Sequence, residues 1–143
     1  MNAERWQQVL NWPLDDPTAE RPFSVRLREA NEWDEEYTRK AIEEYRKFMY
    51  LKTVTEQPLT PSVVVDSVWH MHLLYLRNYL AFCKQVIGRI VYHDPGKGGQ
   101  DDSELFKEQY FDTLMVYMDH FGEPPTNIWG GIPRKLDTGS AGG

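Results

Sequence analysis

Residues Val63–Cys83 read VVVDSVWHMHLLYLRNYLAFC. The stretch holds no proline or glycine. Its apolar residues return every three or four positions, the period of a helix rather than a strand. Just ahead lies Thr60-Pro61-Ser62, where Thr60 suits an N-cap and Pro61 the first helical position. Gly88 supplies a C-terminal stop. The pattern predicts one long helix from Pro61 to about Ile87.

At about 100° per residue, with Asp66 set to zero, His70 falls near 40° and His72 near 240°. The apolar residues, Val65, Val68, Trp69, Leu76 and Tyr79 among them, occupy the arc from about 160° to 320°. His72 therefore faces the core and His70 stays with Asp66 on the polar side. Two histidines one residue apart on a helix cannot share an ion; helical metal pairs use i and i+4. Asp66 and His70 have that spacing. His72 is a polar ring on an apolar face and needs a partner.

The rest of the chain also reads mostly with the helical period. A short helix covers Ala3 to Leu10, and a proline-rich link, NWPLDDPTAERP, follows. Phe23, Leu27 and Ala30 mark a second helical segment. Asp34 caps a longer helix from Glu35 to about Thr53, with acidic residues in its first turn to suit the dipole. That helix places Tyr37, Ala41, Tyr45, Phe48 and Met49 on one side. Glu44 falls on the edge of the same face, where it can meet His72 across the helix pair. Such a pair is more often a structural hydrogen bond than a catalytic one. After the loop HDPGKGGQDD, Asp101 and Glu104 resemble a capping box. The last helix carries Phe106, Tyr110, Leu114, Tyr117 and Phe121, and Gly122 ends it. Ile128 and Trp129 anchor an extended tail. The expected fold is all-α: a single compact bundle of about four or five helices over residues 1–135, with a disordered glycine-rich tail over 136–143.

Composition narrows the function. The net charge is −6, from 16 basic and 22 acidic residues. A net-acidic chain with no basic cluster lacks what a phosphate backbone or an anionic membrane requires, so neither nucleic acid nor membrane is an expected partner. The N-terminus has no apolar leader, and no stretch approaches the ~20 apolar residues that span a bilayer. A cytoplasmic protein is expected. Cys83 is the only cysteine, which excludes an internal disulfide; it falls on the buried arc and should be unreactive. His93 lies in the loop after the long helix, where a lone histidine is usually exposed. His120, in the last turn of the final helix, suits the dipole.

The words IEEYRKFMYL, TPSVVVDSVWHMHLLYLRNYLAFC, GRIVYHDPGKGG, YFDTLMVYMDHFGEPP and NIWGG together resemble a bacterial family of glycine-rich domain-containing proteins. The resemblance runs from about Phe23 to Trp129. Its pattern falls on Glu44, Tyr45, Asp66, Trp69, His70, His72, Gly88, Arg89, His93 and Trp129. It implies a site, at Glu44, His70, His72 and His93 above all, but no reaction. The long glycine tails of such proteins shrink here to GSAGG.

Two functions compete on this reading. One is a binding or accessory module that holds a protein or small-molecule partner in a polar-floored cleft between helices. The other is a metal-binding protein or metal-dependent hydrolase. Its ligands to zinc, iron or manganese would come from Glu44, Asp66, His70, His72 and His93. Three of these side chains converging on one point would favour metal; a scattered arrangement would favour structural roles. Metal-free catalysis by a histidine–carboxylate pair would lack a nucleophile.

Overall fold

The computed structural model describes residues 1–94 and 99–130. Among these residues every regular element is helical. The elements are α1 (Ala3–Leu10), α2 (Phe23–Asn31), α3 (Glu35–Val54), α4 (Val63–Leu74), α5 (Leu76–Phe82), a π-helical turn (Cys83–Ile87) and α6 (Gln100–Phe121). The all-α bundle stands, with six α-helices rather than four or five. The expected disordered tail, 136–143, lies outside the described residues.

α3 is the central element and packs against α1, α2, α4 and α6. Its sequence explains why. The Asp34 carboxylate accepts from the Tyr37 amide at 2.7 Å and Glu35 and Glu36 fill the first turn, which satisfies an orphan donor and the dipole together. Ala41, Tyr45, Phe48 and Met49 then fall three or four apart and are all buried. Burying each large apolar side chain contributes roughly 1.5–3 kcal/mol, so this stripe fixes where α1, α2, α4 and α6 dock.

The predicted long helix is divided. Ser62, not Thr60, caps α4, its hydroxyl accepting from the Val65 amide at 3.1 Å. Thr60 instead ties to α6, through the Thr113 hydroxyl at 2.8 Å and the Gln109 side chain at 2.9 Å. At Tyr75 the backbone leaves helical geometry, with φ −94° and ψ 62°, and α5 starts in a new direction. No proline or glycine marks the break. Its physical reason lies in what it joins. The His72 ring meets the Asn78 side chain at 2.7 Å, although six residues along one straight helix would set them about 240° apart. The Trp69 indole donates to the Tyr79 hydroxyl at 3.0 Å; on one straight helix ten residues would separate them by about 15 Å. Leu76, assigned to the buried arc of a continuous helix, is 54% exposed.

α5 runs into the π turn, closed by the Gly88 amide on the Cys83 carbonyl at 2.8 Å. Gly88 follows with φ 92°, a left-handed conformation that glycine takes at little cost. The chain turns back there and carries residues 89–94 toward α4. α6 begins at Gln100 with Gly99 as its cap, so Asp101 sits inside the first turn rather than ahead of it. Past α6, Ile128 and Trp129 are buried as expected. Their segment is a turn, not extended, with both amides donating to the Pro125 carbonyl. No described helix is long and apolar enough to cross a membrane.

Candidate metal centre

The five candidate side chains divide into three groups. Asp66, His70 and His93 come together. Each offers a ligand atom, and the three atoms lie within 4.8 Å of one another. One Asp66 oxygen is 2.6 Å from His93 Nε2 and the other is 3.4 Å from His70 Nε2. The two imidazole rings sit side by side, with centroids 4.7 Å apart. His70 is well exposed, and His93 retains 18% exposure.

Asp66 and His70 meet because they lie one turn apart on α4. His93 arrives from the return segment, held by three anchors. The Tyr79 hydroxyl, itself accepting from Trp69, donates to the Val91 carbonyl. The Arg89 guanidinium donates to the Lys52 carbonyl at 2.9 Å. Finally, the His93 ring stacks on Trp69 at 4.1 Å. A loop histidine is thereby fixed beside a helical Asp–His pair.

Glu44 and His72 do not pair, contrary to the sequence expectation. Glu44 is buried and turned toward α6 and the C-terminal turn. One of its oxygens accepts from the Tyr117 hydroxyl at 2.6 Å and the Trp129 indole at 2.9 Å. The other faces the Lys47 ammonium at 3.0 Å. A buried carboxylate is tolerable because each oxygen has a donor.

His72 is 1% exposed, and its hydrogen bonds determine its tautomer. The Asn78 amide nitrogen donates to the Pro13 carbonyl at 2.9 Å. Its oxygen therefore faces Trp12 Nε1, at 2.8 Å, and His72 Nε2, at 2.7 Å. An acceptor there requires Nε2 to carry the proton, which leaves Nδ1 to accept from the Tyr45 hydroxyl at 2.6 Å. A second proton on Nδ1 would oblige the Tyr45 hydroxyl to turn its own proton away and would place a charge in an apolar setting. Burial pushes the His72 pKa down from 6.5 to about 4, partly offset by the Asn78 bond. His72 is a neutral core residue, outside the Asp66–His70–His93 cluster. His120 bonds the Val116 carbonyl at 3.0 Å. The Cys83 thiol is buried, and that burial pushes its pKa up.

The cluster opens into a cleft of about 830 Å³ between α4, the return segment, the 58–62 link and α6. Leu73, Tyr92 and Phe106 supply apolar walls and Asp94 a second carboxylate. Lys52 also lines it. Its ammonium lies over the Phe48 and Trp69 rings, at 5.4 and 5.9 Å from their centroids. Burial first, and the Arg89 charge second, pull its pKa down to about 8. Nothing in the linear sequence singled out Lys52, because its neighbours in the cleft come from α4 and the loop before it.

Four ligands at about 2.0–2.2 Å from an ion stand roughly 3.3–3.6 Å apart. The Asp66–His70 separation of 3.4 Å already meets that spacing. The Asp66–His93 contact of 2.6 Å is a hydrogen bond, and it must lengthen by roughly 1 Å to admit an ion between the two.

Fold and site together define a small all-α domain with a two-histidine, one-carboxylate cluster at the floor of an open cleft. The chain belongs to the UCP032817-like family, whose profile matches residues 17–105, a span that contains the whole cluster. It is similar to two proteins of Arabidopsis thaliana. Glycine-rich domain-containing protein 2 is 26% identical over 106 residues, covering 71% of this chain and 14% of that protein. Glycine-rich domain-containing protein 1 is 27% identical over 113 residues, covering 76% of this chain and 13% of that protein. The chain thus spans only a small part of the length of these curated relatives. Both support the resemblance to glycine-rich domain-containing proteins, and both are plant rather than bacterial proteins. No solved structure matches the chain significantly.

Proposed function

We propose that this domain is a binding module built on a divalent transition-metal site, with Asp66, His70 and His93 as its protein ligands. The observation that carries the reading is the convergence of their three ligand atoms within 4.8 Å at the floor of an accessible cleft. Two neutral imidazoles and one carboxylate suit zinc, iron or manganese, and three protein ligands leave a position open. Trp69, stacked on His93, acts as the supporting wall that orients the ring. Glu44 and His72 have no part in the site, because their hydrogen-bonding capacity is used within the core.

The open position and the apolar walls favour a module that holds a ligand. Exposed Val63 and Tyr92, at 78% and 74%, flank the cleft and give a protein or small-molecule partner something to cover. A hydrolytic role would need a carboxylate base beside the metal. Asp94 is the carboxylate on the cleft besides Asp66 among the described residues. In the longer plant relatives this fold would serve as one part of a larger protein.

Calorimetric titration with zinc tests the proposal. One site is expected, and His93→Gln and Asp66→Asn should each weaken it by about 100-fold or more. His120→Gln, outside the cleft, should leave it unchanged. Equal binding by all four proteins would sink the assignment.

A further inference from the structure

Cleft chemistry says more about what the open position takes. A divalent ion held by one carboxylate and two neutral imidazoles leaves the centre with a net positive charge. Lys52 lines the same cleft. Among the described residues its ammonium has a single hydrogen-bond acceptor, the Leu59 carbonyl at 3.3 Å, and otherwise rests on aromatic rings. Two of its three N–H donors are therefore uncommitted. Lys52 and His93 both border Trp69: the Lys52 ammonium lies 5.9 Å from its ring centroid and the His93 ring 4.1 Å from the same point. Pro61, Ser62 and Val63, at the start of α4, also line the cleft, so the positive end of that helix faces it. Against these, among the described residues that line the cleft, stand Asp66, which is spent on the metal, and exposed Asp94. The walls beyond are apolar, supplied by Leu73, Phe106 and Tyr92.

We propose that the cleft binds a small organic carboxylate with an apolar body, its carboxylate spanning the metal's open position and the Lys52 ammonium. The inference rests on the metal site proposed above. One carboxylate oxygen completes the metal's coordination. The other accepts from Lys52 in a charge-assisted hydrogen bond, which is about twice as strong as a neutral one. The apolar body lies along Leu73 and Phe106, where it removes hydrocarbon surface from water. A neutral ligand of the same shape would leave both positive groups unbalanced. An inorganic anion would leave the walls wet.

Phenylacetate and its uncharged isostere phenylacetamide are the probes, titrated into full-length protein. A zinc titration comes first and separates the two failures: if zinc does not bind, the metal reading and this inference fall together. With zinc bound, phenylacetate should bind about tenfold or more tighter than phenylacetamide. It should also lose most of that margin when zinc is stripped with chelator. Lys52→Gln should weaken phenylacetate by about tenfold while changing zinc affinity less than about twofold. Because Lys52 is half-buried, the acid–amide comparison on the unmodified protein stands even if that variant folds poorly. Equal affinity for acid and amide in zinc-loaded protein overturns the proposal and leaves the metal site intact. Binding that ignores Lys52→Gln in a folded variant also overturns it.

Discussion

The buried His72 makes the stability of this domain depend on pH within a defined window. In the folded protein its pKa is about 4 against an ordinary 6.5, so it stays neutral while the unfolded chain takes up a proton. Between those two values the unfolded state binds more protons, and stability must fall as pH drops. The stabilisation is complete above about pH 6.5 and is lost progressively down to about pH 4. At about 1.36 kcal/mol for each pH unit between those two values, the loss is bounded at roughly 3–4 kcal/mol. Most of it, roughly 2–3 kcal/mol, should be gone by pH 4.5. Urea unfolding at pH 7 and pH 4.5, with chelator present, measures the drop. The same pair of measurements on His72→Gln removes the His72 contribution and keeps those of the carboxylates, His70 and His93. The difference between the two drops should be roughly 2–3 kcal/mol. Direct observation of the His72 ring proton by NMR should show no titration above about pH 5. A midpoint above 6, or equal drops in the two proteins, would refute the placement of His72 as a neutral ring buried in the core.

Two further outcomes follow from other buried groups. Glu44→Gln keeps an acceptor for Tyr117 and Trp129 but presents an amide to the Lys47 ammonium. Loss of that charge-assisted contact should cost about 2 kcal/mol, or a fall in Tm of about 6 °C by calorimetry; a change below about 0.5 kcal/mol would show that Lys47 contributes nothing there. Cys83 should resist a water-soluble disulfide reagent in the folded protein and react at once in urea, because it is fully buried and its thiol is held above its ordinary pKa; rapid labelling of the folded protein would contradict its placement.

Local signals in the sequence were read correctly because local physics set them. Ala3–Leu10, the Asp34 cap, the Gly88 stop and the inward turn of His72 all follow from period, capping and backbone freedom over a few residues. The break at Tyr75 was not legible. It has no glycine or proline, and the contacts it allows, His72 with Asn78 and Trp69 with Tyr79, exist only once α4 and α5 have separated. The Glu44 environment was hidden for a similar reason. Its partners Tyr117 and Trp129 lie 73 and 85 residues away, and helical arithmetic on α3 gives a face but not the identity of what packs on it. The Asp66–His70 pair could be read from its i,i+4 spacing. That His93 joins it depended on the π turn and Gly88, which decide where the return segment lies. Lys52 carried no signal at all, since its role comes from cleft walls contributed by other elements.

The central claim is that Asp66, His70 and His93 form a metal site, and metal content tests it most directly. Protein purified without tag or chelator, then dialysed against zinc or manganese and freed of excess, should retain about one equivalent of metal. The same metal should raise its Tm, as any ligand of the folded state must. Less than about a tenth of an equivalent, with no shift in Tm, would contradict the account and leave the three side chains as a hydrogen-bonded cluster.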